Sequence, residues 1–148
     1  MTTESTTDRE LVHSRLIDAP RERVYRAFAE PEHLARWWGP KGFTNTFQEF
    51  DPRPGGRWQF VMHGPNGADY PNQSVFVEIV KPERIVFDHL SGPAFQVTAT
   101  FAEEAGKTRL TFRMLFETAA ECDKVKGFAV GANEENLDRL EAELARMA

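Results

Sequence analysis

The sequence predicts an α+β domain, an antiparallel sheet with its helices gathered on one face. Two patterns carry that reading. From Phe43 to Phe116, apolar and polar residues alternate with period two between short turns rich in Gly, Pro and Asn. The C-terminal segment instead repeats apolar residues at steps of three and four, the period of a helix with one buried stripe. Strands joined by such short turns make a meander rather than a parallel sheet.

The elements follow in order. Leu11 to Ile17 alternates as a first strand and ends at Asp18-Ala19-Pro20. There Asp18 can cap a helix, and Pro20 suits the first turn, which needs no intrahelical donor. Val24, Ala27 and Phe28 give that helix its apolar face, and Glu30-Pro31 stops it, because a residue before proline avoids helical angles. Pro31 can open a second short helix through Trp37-Trp38, broken by Gly39-Pro40. After a strand from Phe43 come Trp58, Phe60 and Met62 on one face of the next. Further strands are expected over 74–80, 84–90, 95–101 and 108–116. Asp51-Pro52-Arg53-Pro54-Gly55-Gly56 is a turn and not a phosphate loop, since it lacks the lysine and the helix start that bind the anion. On the last helix, a stripe centred on Leu137 takes in Val130, Asn133, Leu140, Leu144 and Met147, with Asn136 at its edge.

The chain has 148 residues, 41% apolar and 28% charged, which suits one domain able to build a core without staples. Residues 1–8 read as a tail and 9–148 as the domain. No run approaches the ~18 apolar residues of a membrane span, and the N-terminal residues lack the apolar core of a secretory signal. A net charge of −5 argues against nucleic acid as a partner. The single cysteine, Cys122, excludes an internal disulfide. No histidine–carboxylate spacing among His13, His33, His63 and His89 suggests a metal. The expectation is a cytoplasmic monomer or homodimer with no metal and no cofactor.

The runs LIDAPRERVYRAFAEPEHLARWWGP, FDPRPGGRW, VKPERIVF, KTRLTFRMLF and NLDRLEAEL resemble the SRPBCC, or START-like, superfamily. The resemblance is to the branch named after the C-terminal domain of the heat-shock-protein-90 ATPase activator homologue, and it covers roughly residues 9–147. It implies a helix-grip fold, a curved antiparallel sheet wrapped around the long C-terminal helix, with two short helices after the first strand. It also implies an apolar cavity between helix and sheet.

Twelve Phe, three Trp and two Tyr, most of them between Phe43 and Phe116, give the sheet an aromatic inner face. Trp58, Phe60, Phe112 and Met114 fall on its inward phase, and family analogy adds Phe47 and Phe87. The Trp37-Trp38 pair is expected near the cavity mouth, as a pocket wall or as a structural anchor. Asn133 interrupts the helix stripe beside Leu137, and an amide buried there needs a partner worth ~1–3 kcal/mol: backbone, water or the polar end of a ligand. These residues form the candidate ligand-binding set, with no catalytic residue among them. The favoured function is binding of a hydrophobic small molecule, lipid-like or aromatic. The alternatives are a cyclase-, aromatase- or hydrolase-like enzyme using the same cavity, and a stress-related or co-chaperone-like interaction module.

Overall fold

The computed structural model describes residues 7–91 and 94–147. Most of the expected tail lies outside that range, and Thr7–Arg9 form a 3-10 turn leading into the sheet.

Seven strands form one antiparallel sheet: β1 (Glu10–Ile17), β2 (Thr44–Phe50), β3 (Arg57–His63), β4 (Asp69–Val80), β5 (Arg84–His89), β6 (Phe95–Glu104) and β7 (Lys107–Phe116). Their order is β1-β7-β6-β5-β4-β3-β2. The meander runs from β2 to β7, and β1 pairs with its last strand. Consecutive strands β1 and β2 therefore occupy opposite edges. The chain between them has to cross the sheet, which it does as α1 (Arg21–Ala29) and α2 (Pro31–Trp37). The long helix α3 (Ala119–Met147) lies on the same side. This is the helix-grip arrangement. Bulges between Phe47 and Glu49 and between Phe76 and Glu78 each put an extra residue in one strand, which bends that strand and increases its twist.

Three local expectations are corrected. Asp18 makes no capping bond; Pro20 in extended conformation is the N-cap, and α1 starts at Arg21. Strand β4 begins at Asp69 rather than Ser74 and includes Pro71. It can hold a proline there because β5 pairs only as far as Ser74, so that stretch is locally an edge where a missing N–H costs nothing. On α3 Leu137, Leu140 and Leu144 are buried as expected, but Asn136 and Glu143 are buried beside them, and toward the N-terminus the buried positions are Cys122, Val125 and Ala129 rather than Val130 and Asn133. Val130 is accordingly 43% exposed.

The core divides along the sheet. Under α1 and α2, Phe101 meets Tyr25 and Phe28 edge-on, and Phe28 meets Trp37. Toward β2 and β3 the rings of Trp38, Phe47, Phe50, Trp58, Phe60 and Phe87 form a continuous aromatic layer.

Candidate functional site

The site begins where α2 ends. Trp38 caps α2 in extended conformation, its N–H donating to the Leu34 carbonyl. The chain then turns at Gly39, whose φ of +102° is in the left-handed region that favours glycine. A side chain at Gly39 would also meet the Met62 methyl at 2.7 Å, so the backbone here needs the room only glycine leaves.

Two residues of α3, one turn apart, hold this loop. Asn136 accepts from the Gly39 N–H at 3.1 Å. Arg139 spreads its guanidinium over backbone carbonyls of Gly39 (2.8 Å), Pro40 (2.9 Å), Arg36 (2.9 Å), Phe43 (2.9 Å) and Trp38 (3.3 Å). Burial pushes the Arg139 guanidinium below its ordinary pKa. From the sheet side, Asn45 donates to the Trp38 and Ala35 carbonyls.

Behind the loop, between α3 and the sheet, is a cavity of about 200 Å³. Its floor is Phe60, Met62, Phe95 and Met114 from the sheet; its roof is Val125, Ala129 and Ala132 from α3, with Phe128 at the rim. The hole has a simple origin. Where α3 carries Leu137, Leu140 and Leu144 the helix fills the space to the sheet, and all three are buried. Where it carries Ala129 and Ala132, those side chains are too short to reach the floor. Phe128 could have filled it, but points outward and is 68% exposed.

One corner of the cavity is polar. His89 Nε2 lies 2.7 Å from Asn72 Oδ1, and the Asn72 amide nitrogen donates to the Tyr70 carbonyl at 2.8 Å. That second bond fixes which end of the amide accepts, so the Nε2 proton of His89 points at Asn72. The imidazole stacks on Phe95, with centroids 4.6 Å apart and planes at 14°. From the helix, Asn133 Nδ2 donates to the Met114 sulfur at 3.2 Å, a weak acceptor.

Of the sequence-derived set, Trp38, Phe60, Met114 and Asn133 line the cavity. Trp37, Trp58, Phe87, Phe112 and Leu137 are buried without bordering it, and Phe47 is half-buried against Trp58 and Phe60. Trp37 is the structural anchor of the tryptophan pair, its indole N–H donating to the Ala27 carbonyl at 2.9 Å. Asn136, expected at the edge of the helix stripe, is the buried asparagine, while Asn133 is only half-buried.

Sequence reasoning missed Asn72 and His89. A signal was present, since Asn72, Ser74 and Phe76 share one strand phase and Phe87 shares its phase with His89. Of the other histidines, His13 bonds Glu134, His33 bonds Glu143, and His63 joins Asp69 and Thr46 on the outer face. Glu30, Glu32 and His33 come close together at the start of α2, but the His33 Nδ1 is taken by Glu143 at 2.8 Å. Cys122 is buried, and burial pushes its thiol pKa up.

A helix-grip domain with a cavity under its long helix is the class that the geometry defines. Residues 18–145 match the family described as activator of Hsp90 ATPase homolog 1-like protein, and the chain belongs to that family. Among solved structures it is similar to a protein from Nitrosomonas europaea, with 22% identity, 99% of this chain and 100% of that one covered, and a TM-score of 0.89. A protein from Chromobacterium violaceum is 27% identical over 90% of this chain and 95% of its own, with a TM-score of 0.78. The AHSA1 protein of Silicibacter pomeroyi is 19% identical over 94% and 99%, also with a TM-score of 0.78. No curated protein sequence matches. No helix among the described residues is long and apolar enough to cross a membrane.

Proposed function

We propose that this protein binds a small hydrophobic molecule in the cavity beneath α3. The observation that carries the reading is the cavity of about 200 Å³, roofed by alanines in a chain that fills the rest of the same interface with leucines. The cavity is open on one side, so a molecule that covers its apolar lining removes that surface from water, worth roughly 25 cal/mol per Å². Volume also selects between the ligand classes. A cavity of ~150 Å³ accepts benzene, so this one suits a single ring or a short branched chain better than a whole lipid tail. Phe128 at the rim offers flat apolar surface to an entering ring.

Ala129→Leu tests this, because it pushes a leucine from the roof into the hole. In a thermal-shift series with one-ring compounds, the native chain should melt higher with ligand, by mass action on the folded state. Ala129→Leu should lose that response while melting no lower on its own. Equal responses in both chains would place binding elsewhere.

A further inference from the structure

Among the described residues, the amide and imidazole side chains that border the cavity are Asn72, His89, Asn133 and Asn136. The two on the sheet are bonded to each other, and the Asn72 nitrogen to Tyr70. The two on α3 keep capacity in reserve. A backbone N–H only donates, so the Asn136 atom that meets Gly39 at 3.1 Å is its oxygen, and the far end of the amide is the NH2 group. No described residue accepts from that nitrogen. Asn136 is 7% exposed, and its nitrogen is not among the partnerless atoms sealed inside the protein. The nitrogen therefore opens onto space, and the space that Asn136 borders is the cavity. Asn133 is settled in the same way. A thioether sulfur only accepts, so the Asn133 nitrogen is the end that meets Met114 at 3.2 Å, and the oxygen at the other end bonds no described residue. Asn133 comes from the roof and Met114 from the floor, so this amide stands in the cavity wall.

We infer that the occupant carries a neutral hydroxyl group on a single-ring-sized apolar body, accepting from the Asn136 NH2 and donating to the Asn133 carbonyl. Residues three apart on a helix are surface neighbours, with roughly 5–6 Å between Cβ atoms, so one small group can meet both. One amide offers hydrogens and the other a lone pair, and a hydroxyl answers both through a single oxygen. A carbonyl or ether answers Asn136 alone. A carboxylate has no hydrogen for Asn133, and an ammonium has no lone pair for Asn136. Charge points the same way. No lysine, arginine, aspartate or glutamate borders the cavity, so an ion would be buried there without a counter-ion, which is costly.

This inference rests on the cavity being the binding site, and the probes separate the two claims. Benzyl alcohol, benzaldehyde and styrene have the same number of heavy atoms and nearly the same shape. The first both donates and accepts, the second only accepts, and the third does neither. A cavity with no polar partner to offer would rank styrene first, since styrene leaves water most readily. Calorimetric titration of the full chain should instead show benzyl alcohol binding about tenfold tighter than styrene, with benzaldehyde between them. Asn133→Ala removes the acceptor and should bring benzyl alcohol down to the benzaldehyde level. It deletes a half-buried side chain bonded only to a sulfur, so its melting temperature should stay near native, which keeps a folding failure from posing as lost recognition. Asn136→Asp keeps an oxygen for the Gly39 N–H but has no NH2 group, and should abolish the advantage of benzaldehyde over styrene. Styrene binding tightest to the native chain would overturn the hydroxyl reading and leave the apolar cavity standing. So would equal affinity for benzyl alcohol and benzaldehyde, or either variant keeping the native ranking in full. No binding of any of the three, with no one-ring compound raising the melting temperature of the native chain, would overturn the binding function itself.

Discussion

The two halves of α3 lie on the same sheet by opposite means. From 134 to 147 the helix is clamped. Leu137, Leu140 and Leu144 are buried, and Arg15 reaches from β1 to Glu134 (2.7 Å), Asp138 (2.8 Å) and Glu141 (2.9 Å). On the opposite flank the carboxylate of Glu143, 1% exposed, meets His33 at 2.8 Å, Arg146 at 3.0 Å and Arg36 at 3.4 Å. From 119 to 133 the buried positions hold the smaller Cys122, Val125 and Ala129, two glycines interrupt the helix, and Phe128 faces out. The difference separates, on one element, the half that fixes the helix from the half that leaves space beneath it. The clamped half fixes the helix and, through Asn136 and Arg139, the mouth loop; the other half is left light enough to leave a hole.

The largest expected effect sets the two halves against each other. Leu140 is fully buried in the clamped half, and Leu140→Ala should cost about 3–4 kcal/mol, within the usual ~2–5 range for such truncations. Val125→Ala should cost only about 1 kcal/mol, because Val125 borders an existing cavity and its neighbours already lack part of their packing. Denaturant melts of the two variants give the comparison directly. Equal losses would mean that the two halves are packed alike.

Acid should release the clamped half. The Glu143 carboxyl is pushed up by burial, but its bonds from His33 and Arg146 and the charge of Arg36 outweigh that and hold its pKa below the ordinary 4.5. Glu134 is lowered likewise by His13 and Arg15. A carboxyl depressed in the folded state adds stability that is fully present above its unfolded pKa. That stability is lost as pH falls through the lower folded value. The melting temperature should therefore drop as pH is taken below 4.5, and more gently in Glu143→Gln, which has no proton to take up. Parallel pH profiles for the two chains would remove Glu143 from the clamp.

How much of this was legible in the sequence follows the range of the interactions. Period-two strands, the proline-started helix and the long C-terminal helix are local patterns, and they read correctly. So did the inward phase of Trp58, Phe60, Phe112 and Met114, because alternation is a property of one strand. The cavity's polar corner was not legible, since Asn72 and His89 become neighbours only through the register of β4 and β5. A single strand does not reveal its register. The asparagines show a finer limit. A wheel anchored on Leu137 favours Asn133, but the bonded partner of the mouth loop is Asn136, three residues on and only about 60° round the helix. Glu143 sits in the buried stripe for the same unreadable reason, its partners His33 and Arg36 lying more than a hundred residues earlier.

The smallest expected effect concerns the glycines of the lighter half. Gly127 and Gly131 are both exposed, and a methyl group added at either would meet nothing within 4 Å. Neither lines the cavity. No close approach requires them, so their cost is the backbone entropy lost on forming helix, roughly 0.5–1 kcal/mol each relative to alanine. Gly127→Ala and Gly131→Ala should each stabilise the chain by about that amount. The gain should be local, appearing as slower amide hydrogen exchange over 119–133 with little change over 134–147, because the clamped half contains no glycine and is already held from both flanks. Exchange slowed equally along all of α3 would show that the helix opens as one unit, and the contrast between its halves would then be one of packing alone.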